Sequence, residues 1–385
     1  MRRWMRYIML LLCGIYIISA QAHTATSNDT INRLADNFVK ASLMVAAPGD
    51  DFCSLWGHAC FRLQCPTYQL DYCFSYESEQ VSTDLWRFLK GDLCMGMLAI
   101  PTQEYLQNYV DQQRGVTEYP MNLPPVVKQQ LWRVLDEHIM QGILPWDYLH
   151  HGCAISCVNL LHQALDTIPI IYAPFSEEFQ HNTIRELSYN RALHSWNIFI
   201  LMTLEGGDMD KQYPPEDKLM LPADLADTWQ QAQVAGKQLL SSGIELLPDT
   251  PRKPFPISPI VVTLFLLFLS VLNLFFHISW IDCLSLALQT IIGIAVTYFV
   301  FFSTLPATGW NWCIIPFNPL PAIFWHWRKY WEKPYAIVLC VWCIAMLVLP
   351  HRLVCAEHIL WVISFILILL KPTIQKWTAR KEKTK

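Results

Sequence analysis

Nucleophilic chemistry needs a side chain that can lose a proton and a second that can carry it, and two short stretches of this chain supply such a pair. In Tyr148-Leu149-His150-His151-Gly152-Cys153-Ala154-Ile155-Ser156-Cys157, small residues flank a thiol. An apolar repeat through Val158, Leu161 and Leu165 then predicts a helix that begins at or just after Cys153. A cysteine in that position meets unpaired backbone N–H groups and the positive end of the helix dipole, both of which favour thiolate. The same backbone, at Gly152 and Ala154, suits a developing oxyanion, with Tyr76 a further candidate at the substrate. The plain alternative is a half-cystine at a helix start.

The candidate base is His58. In Trp56-Gly57-His58-Ala59-Cys60-Phe61-Arg62-Leu63, polar and apolar residues alternate after a glycine, which reads as a strand. A strand-held imidazole beside a small residue is well placed to meet a thiol at a helix end. His150 and His151 are closer along the chain, but closeness in sequence does not orient a ring. A third member that orients the second ring nitrogen is expected on the segment after the His58 strand. Asp71, Ser75 and Tyr76 are the candidates, with Asp71 ahead because a carboxylate also stabilises imidazolium. Asp50 and Asp51 read as solvated turn.

The elements that must hold these residues divide the chain. Of its 385 residues 53% are hydrophobic and 16% charged, with a formal net charge of -4, which excludes a disordered chain and a nucleic-acid binder. Arg2, Arg3 and Arg6 precede the apolar run Ile8 to Ile18, and Ala20-Gln21-Ala22 suits cleavage before His23, so 1–22 reads as a signal peptide. Residues 23–247 are then an exported domain and 248–259 a stiff Pro-rich connector. In the exported domain Pro124 to Gln141 and Leu225 to Leu240, the latter capped by Asp224, read as helices.

Residues 260–371 read as a transmembrane domain of four to five helices, followed by a basic tail over 372–385. Ile260 to Phe276, Leu284 to Phe302, Pro334 to Pro350 and Ile359 to Leu370 carry no charge. The stretch from Trp310 to Trp327, broken by Asn311, Asn318 and prolines, either crosses, dips in or lies in the interface. An exported start and a cytoplasmic basic tail require an odd number of crossings, so four helices alone give the wrong parity. Asn311, Asn318, His326 and Glu357 are the polar residues of interest there.

The exported part holds Cys53, Cys60, Cys65, Cys73, Cys94, Cys153 and Cys157, an odd number in an oxidising compartment. Three disulfides and one leftover thiol are expected, the leftover being either buried and inert or kept reduced because it reacts. His58/Cys60 and His151/Cys153/Cys157 lack the regular spacing of a structural zinc site, so no metal and no other cofactor is expected.

Taken in order, Leu43 to Gly49, Trp56-Gly57-His58-Ala59, Phe74-Ser75-Tyr76, Phe88-Leu89-Lys90-Gly91, Asn122-Leu123-Pro124 and Tyr148 to Cys153 resemble the exported N-terminal domain of the bacterial Lnb lipoprotein N-acyltransferase family. Glu205-Gly206-Gly207-Asp208 and Leu221-Pro222-Ala223-Asp224-Leu225 look like later landmarks of that family. The resemblance implies an α+β fold: a permuted papain-like (NlpC-type) exported domain, with the histidine before the cysteine, followed by an α-helical transmembrane domain. It places the base on His58 and the nucleophile on Cys153. Gly152 stands where the family usually has Asn. It also implies a periplasmic catalytic domain on the inner membrane, a membrane phospholipid as acyl donor and the N-terminal amine of a diacylated lipoprotein as acceptor.

Three function classes follow. An N-acyltransferase working through a Cys153 thioester leads, because donor and acceptor both live in the membrane and explain the large membrane region. A membrane-tethered cysteine peptidase or amidase shares the catalytic pair and differs in letting water resolve the thioester. A non-catalytic envelope protein would use all its cysteines structurally.

Overall fold

The computed structural model describes residues 35, 38–50, 54–78, 85–145, 147, 149–191, 196–250, 256–276, 278–349, 351 and 353–383. The expected signal peptide, Asp51, Cys53 and Tyr148 lie outside the described residues.

The strands are β1 (Lys40–Ala46), β2 (His58–Cys65), β3 (Leu70–Ser78), β4 (Cys94–Pro101), β5 (Val116–Pro120), β6 (Ile143–Pro145), β7 (Ile170–Ile171), β8 (Gln233–Val234), β9 (Lys237–Gln238) and β10 (Ile244–Leu247). The helices of the first half are α1 (Leu85–Lys90), α2 (Thr102–Asp111), α3 (Pro125–Gln141), α4 (Cys153–Leu165), α5 (Glu177–His181), α6 (Ile184–Arg191), α7 (Trp196–Leu204) and α8 (Pro222–Gln231). Those of the second half are α9 (Pro259–Phe276), α10 (Ser279–Phe301), α11 (Leu320–Ile323), α12 (Arg328–Val348) and α13 (Ala356–Lys383).

A seven-stranded sheet in the order β10-β5-β1-β2-β3-β4-β6, every pair antiparallel, organises the first half. Period-2 alternation sends Ala59, Phe61 and Leu63 of β2 and Phe74 of β3 into one core with α3, α4 and α8. The opposite face buries Cys60 and Cys73 with Tyr105 and Tyr109 of α2. Pro124 and Pro125 open α3, where a missing N–H costs nothing, and Gly142 closes it at φ 82°. The helix expected over Leu225 to Leu240 is instead Pro222–Gln231. Ala235 and Gly236, both at positive φ, turn the chain back there to pair β8 with β9. Asp224 does not cap that helix; it is buried inside the first turn and ion-paired with Arg191.

In the second half four helices are long and apolar enough to cross a membrane: Pro259–Phe276, Ser279–Phe301, Trp325–Val348 and Ala356–Lys376. Between α10 and α12 the chain is irregular, with only short helical turns, yet side chains of its neighbours and its own Asn318 take up several of its carbonyls. Trp342 Nε1 donates to Trp312 O, Tyr335 Oη to Ile315 O, Gln289 Nε2 to Pro316 O and Asn318 Nδ2 to Ile315 O. In a bilayer such replacement partners are what make broken backbone tolerable. Gly293 is required by the same packing, since a Cβ there would collide with the Asn318 backbone. The segment ends at Arg328, which donates to Ile368 O; Lys371, a turn further along α13, bonds Asn273 and Asp282 beside the α9–α10 turn.

Two landmarks join the halves. Ser303 and Thr304, just past the end of α10, bond Leu89 O and Lys90 O, and a Cβ at Gly91 would meet the Leu305 backbone. Gly206 and Gly207 donate to Ala307 O and Gly309 O at 2.5 and 3.0 Å, and a Cβ on Gly206 would collide with the Gly309 carbonyl. Arg185, paired with Asp210 and Glu205, donates to Glu205 O and Gly206 O at this junction.

Candidate active site

Gly57, at φ +90°, turns the chain into β2 where an added Cβ would run into Ala46 O. His58 is therefore the first residue of the strand, with its side chain 16% exposed. Trp56 Nε1 donates to Ser188 O on α6, and Leu149, in the loop that leads to α4, packs with Ile184, Met209 and Ala307. Both approaches to the site are thus tied to elements at the junction with the membrane half.

Cys153 is the first residue of α4 and Gly152 its N-cap, with no side chain to occupy the orphan N–H groups. Gly152 sits at φ -58°, so no glycine-only conformation demands it. The Cys153 sulfur accepts hydrogen bonds from His58 and from the backbone N–H groups of Ala59 and Ala154. Burial favours the neutral thiol, but the His58 charge and these bonds together hold Cys153 below its ordinary value. For His58 burial likewise opposes the charge. The charge and hydrogen bond of Cys153 outweigh it, helped by Glu77 and opposed by Arg114, and raise the imidazole to about 9. The two shifts describe one thiolate–imidazolium pair.

The orienting group is not Asp71. Its carboxylate takes a bidentate Arg62 at 2.9 and 2.6 Å, with Gln64 and Thr102 donating as well, and these bonds hold it below its usual range against the cost of burial. It lies four residues from Ser75 along β3, about 13 Å in an extended strand. At the ring stands Ser75, with Oγ 2.6 Å from His58 Nε2, and behind it Glu77, which accepts the Ser75 hydroxyl at 2.7 Å. Glu77 was not among the sequence candidates. Its signal was the alternation Asp71, Cys73, Ser75, Glu77, which puts all four on one face of β3.

Tyr76 faces the other way, as alternation requires. Its hydroxyl bonds His138 Nδ1 on α3 at 2.6 Å, and burial pushes it above its ordinary range, so it is engaged there rather than open to an oxyanion. His150 is bound to Asp147 at 2.7 Å and is largely exposed. The expected disulfides are not formed among the described residues: Cys60, Cys65, Cys73, Cys94, Cys153 and Cys157 are free thiols. Burial raises Cys157 well above an ordinary thiol, and the neighbouring sulfur adds to the effect, so the thiol one turn from Cys153 is the inert one. Among the described residues no three His, Cys, Asp or Glu side chains gather to hold a metal. Asn311, singled out for polarity in an apolar stretch, donates to Thr203 O and accepts from Cys313 N.

Fold and site together define an α+β domain carrying a thiol–imidazole pair, seated on a helical membrane-spanning region. Residues 28–187 match the family model described as the Lnb N-terminal periplasmic domain, and residues 250–383 match the Lnb transmembrane domain. The chain belongs to the Lnb family of lipoprotein-processing membrane proteins, an acyltransferase-type assignment, with its N-terminal domain in the periplasm and its helices in the inner membrane. No curated protein and no solved structure matches it.

Proposed function

We propose that Cys153 and His58 carry out acyl transfer from a membrane phospholipid to the N-terminal amine of a diacylated lipoprotein, in a permuted papain-like arrangement. The observation that carries this reading is the mutual bond of a helix-end thiol and a strand-start imidazole on a site with one approach bonded to α6 and the other packed against Ala307 of the membrane half. The Cys153 thiolate attacks an ester carbonyl, the carbon–oxygen bond breaks, and the departing lysolipid oxygen takes the proton of His58. The incoming amine then attacks the thioester, gives its proton to His58 and releases the thiolate. No water is consumed. The orphan N–H groups in the first turn of α4, helped by the dipole, are the donors available for the oxyanion.

The same reading includes topology. The irregular segment between α10 and α12 starts at a loop bonded to the periplasmic domain and ends at Arg328, beside the inner end of α13, so it makes the fifth pass. Five passes place Lys371, Lys376 and the basic tail on the cytoplasmic side.

The test is intact mass of a model lipoprotein from cells lacking their own N-acyltransferase that express this protein or its Cys153→Ala form at matched membrane levels. A gain of one acyl chain on the amine with the parent alone is expected. Free fatty acid or cleaved peptide in place of N-acyl product would support the hydrolase or peptidase instead, and a gain that survives the substitution would remove Cys153 from the chemistry.

A further inference from the structure

We propose that Ser75 and Glu77 are positioning residues that fix the His58 proton on Nε2 through a hydroxyl relay and so leave Nδ1 to exchange protons with Cys153. Hydrogen counting fixes the donor. A serine hydroxyl has a single hydrogen, and that of Ser75 goes to Glu77 Oε1 at 2.7 Å. Toward His58, at 2.6 Å, the Ser75 oxygen can offer only lone pairs. Nε2 must therefore be the donor whether the ring is neutral or charged, and the tautomer is set before substrate arrives. The one ring nitrogen left to exchange with the Cys153 sulfur is Nδ1.

The relay follows from strand register. Phe61 pairs with Phe74 and Arg62 with Cys73, and the same register continued puts Glu77 across from His58. Ser75 is fully buried, whereas the Glu77 side chain is 41% exposed, so the hydroxyl is fixed by packing and the charge behind it stays hydrated. Glu77 Oε1 is 3.7 Å from Nε2, close enough to favour imidazolium and too far for a direct bond. The charged and titratable groups around the ring are Cys153 from α4, Glu77 from β3 and Arg114 from the turn before β5; Tyr109 of α2 lies under the Arg114 guanidinium. Interposing a neutral hydroxyl separates aiming the ring from charging it, which suits a base that must both take and return a proton in one cycle.

The experiment uses full-length protein in detergent and follows alkylation of Cys153 by iodoacetamide on its own peptide as a function of pH, alongside acyl-transfer turnover. Ser75→Ala is expected to move the alkylation curve to higher pH and to slow alkylation at neutral pH at least tenfold. Ser75→Thr, which keeps the hydroxyl, should restore most of both. Glu77→Gln, whose amide oxygen still accepts from Ser75, should shift the curve in the same direction by less. Curves for Ser75→Ala and Glu77→Gln that coincide with the parent overturn the relay. If Ser75→Ala does not accumulate, the exposed Glu77→Gln site carries the decision by itself. The turnover effect rests on the acyl-transfer reading, but alkylation does not, so loss of one claim leaves the other measurable.

Discussion

The β2–β3 ribbon has two ends built from the same strands and the same face, and they do opposite things. At one end Arg62, Asp71, Glu118, Gln64 and Thr102 satisfy one another in a closed network. At the other, His58, Ser75 and Glu77 form an open chain whose free end is the Cys153 sulfur. The closed end spends its charges on one another and reads as structure. The unsaturated end keeps a mobile proton. A carboxylate bonded directly to a guanidinium is a poor partner for chemistry, and one set behind a hydroxyl is a good one.

Five expectations sharpen or break this contrast, beginning with the largest effect. Cys153→Ala should lower acyl transfer by about 10⁴-fold or more while the protein still accumulates in the membrane, because a group acting as a unit with its base leaves little activity when removed. In that variant His58 loses its main raising partner while burial and Arg114 still oppose the charge, so its imidazole, observed by NMR, should titrate below the parent's value of about 9. Next is pH. His58 keeps its proton until pH rises through about 9, and Cys153 is thiolate from below its ordinary 9.0, so the ion pair is populated beneath that window. The rate of thioester formation should therefore fall as pH rises through about 9, where the leaving oxygen finds no proton; a rate that climbs steadily through pH 10 would contradict the pairing.

Gly57→Ala and Gly206→Ala probe how the open end is held. The first forces a side chain into left-handed backbone against Ala46 O and should cost about 1–3 kcal/mol of stability, read as a lower midpoint in denaturant, with slower alkylation of Cys153. The second should loosen the seat on the 303–311 loop and lower turnover with little change in the alkylation curve, which separates aiming at the membrane from making the thiolate. The smallest effect is expected for Asp71→Asn. It should cost about 1 kcal/mol, since the carboxylate is partly exposed and its pairing is screened, and it should leave turnover unchanged.

Much of this was legible in the residues. Small residues before an apolar repeat fixed the start of α4 at Cys153, and alternation after Gly57 fixed β2. The preference for Asp71 over Ser75, and the omission of Glu77, have a physical reason. Alternation puts the three on one face, but which of them meets His58 depends on register, and register is set by the turn at Pro66–Gln69, whose left-handed Gln69 no local pattern announces. The disulfides failed differently: an odd count in an oxidising compartment says that thiols are present, not that their Cβ vectors meet. The broken segment was visible as broken, and its path depended on distant partners such as Gln289, Tyr335 and Trp342. The docking of Lys90 and Gly206 against the 303–311 loop had no local signature either, although both lie in motifs that carried the family resemblance.

The most direct measurement of the central claim is the intact mass of the purified protein after incubation with a defined phospholipid and no acceptor. A single added acyl chain, mapped to the Cys153 peptide, released by hydroxylamine and passed to a diacylated lipopeptide amine when that is supplied, is the expected result. An acyl chain on another residue, or N-acylated lipopeptide formed with Cys153 never modified and replaceable by Ala, would contradict it.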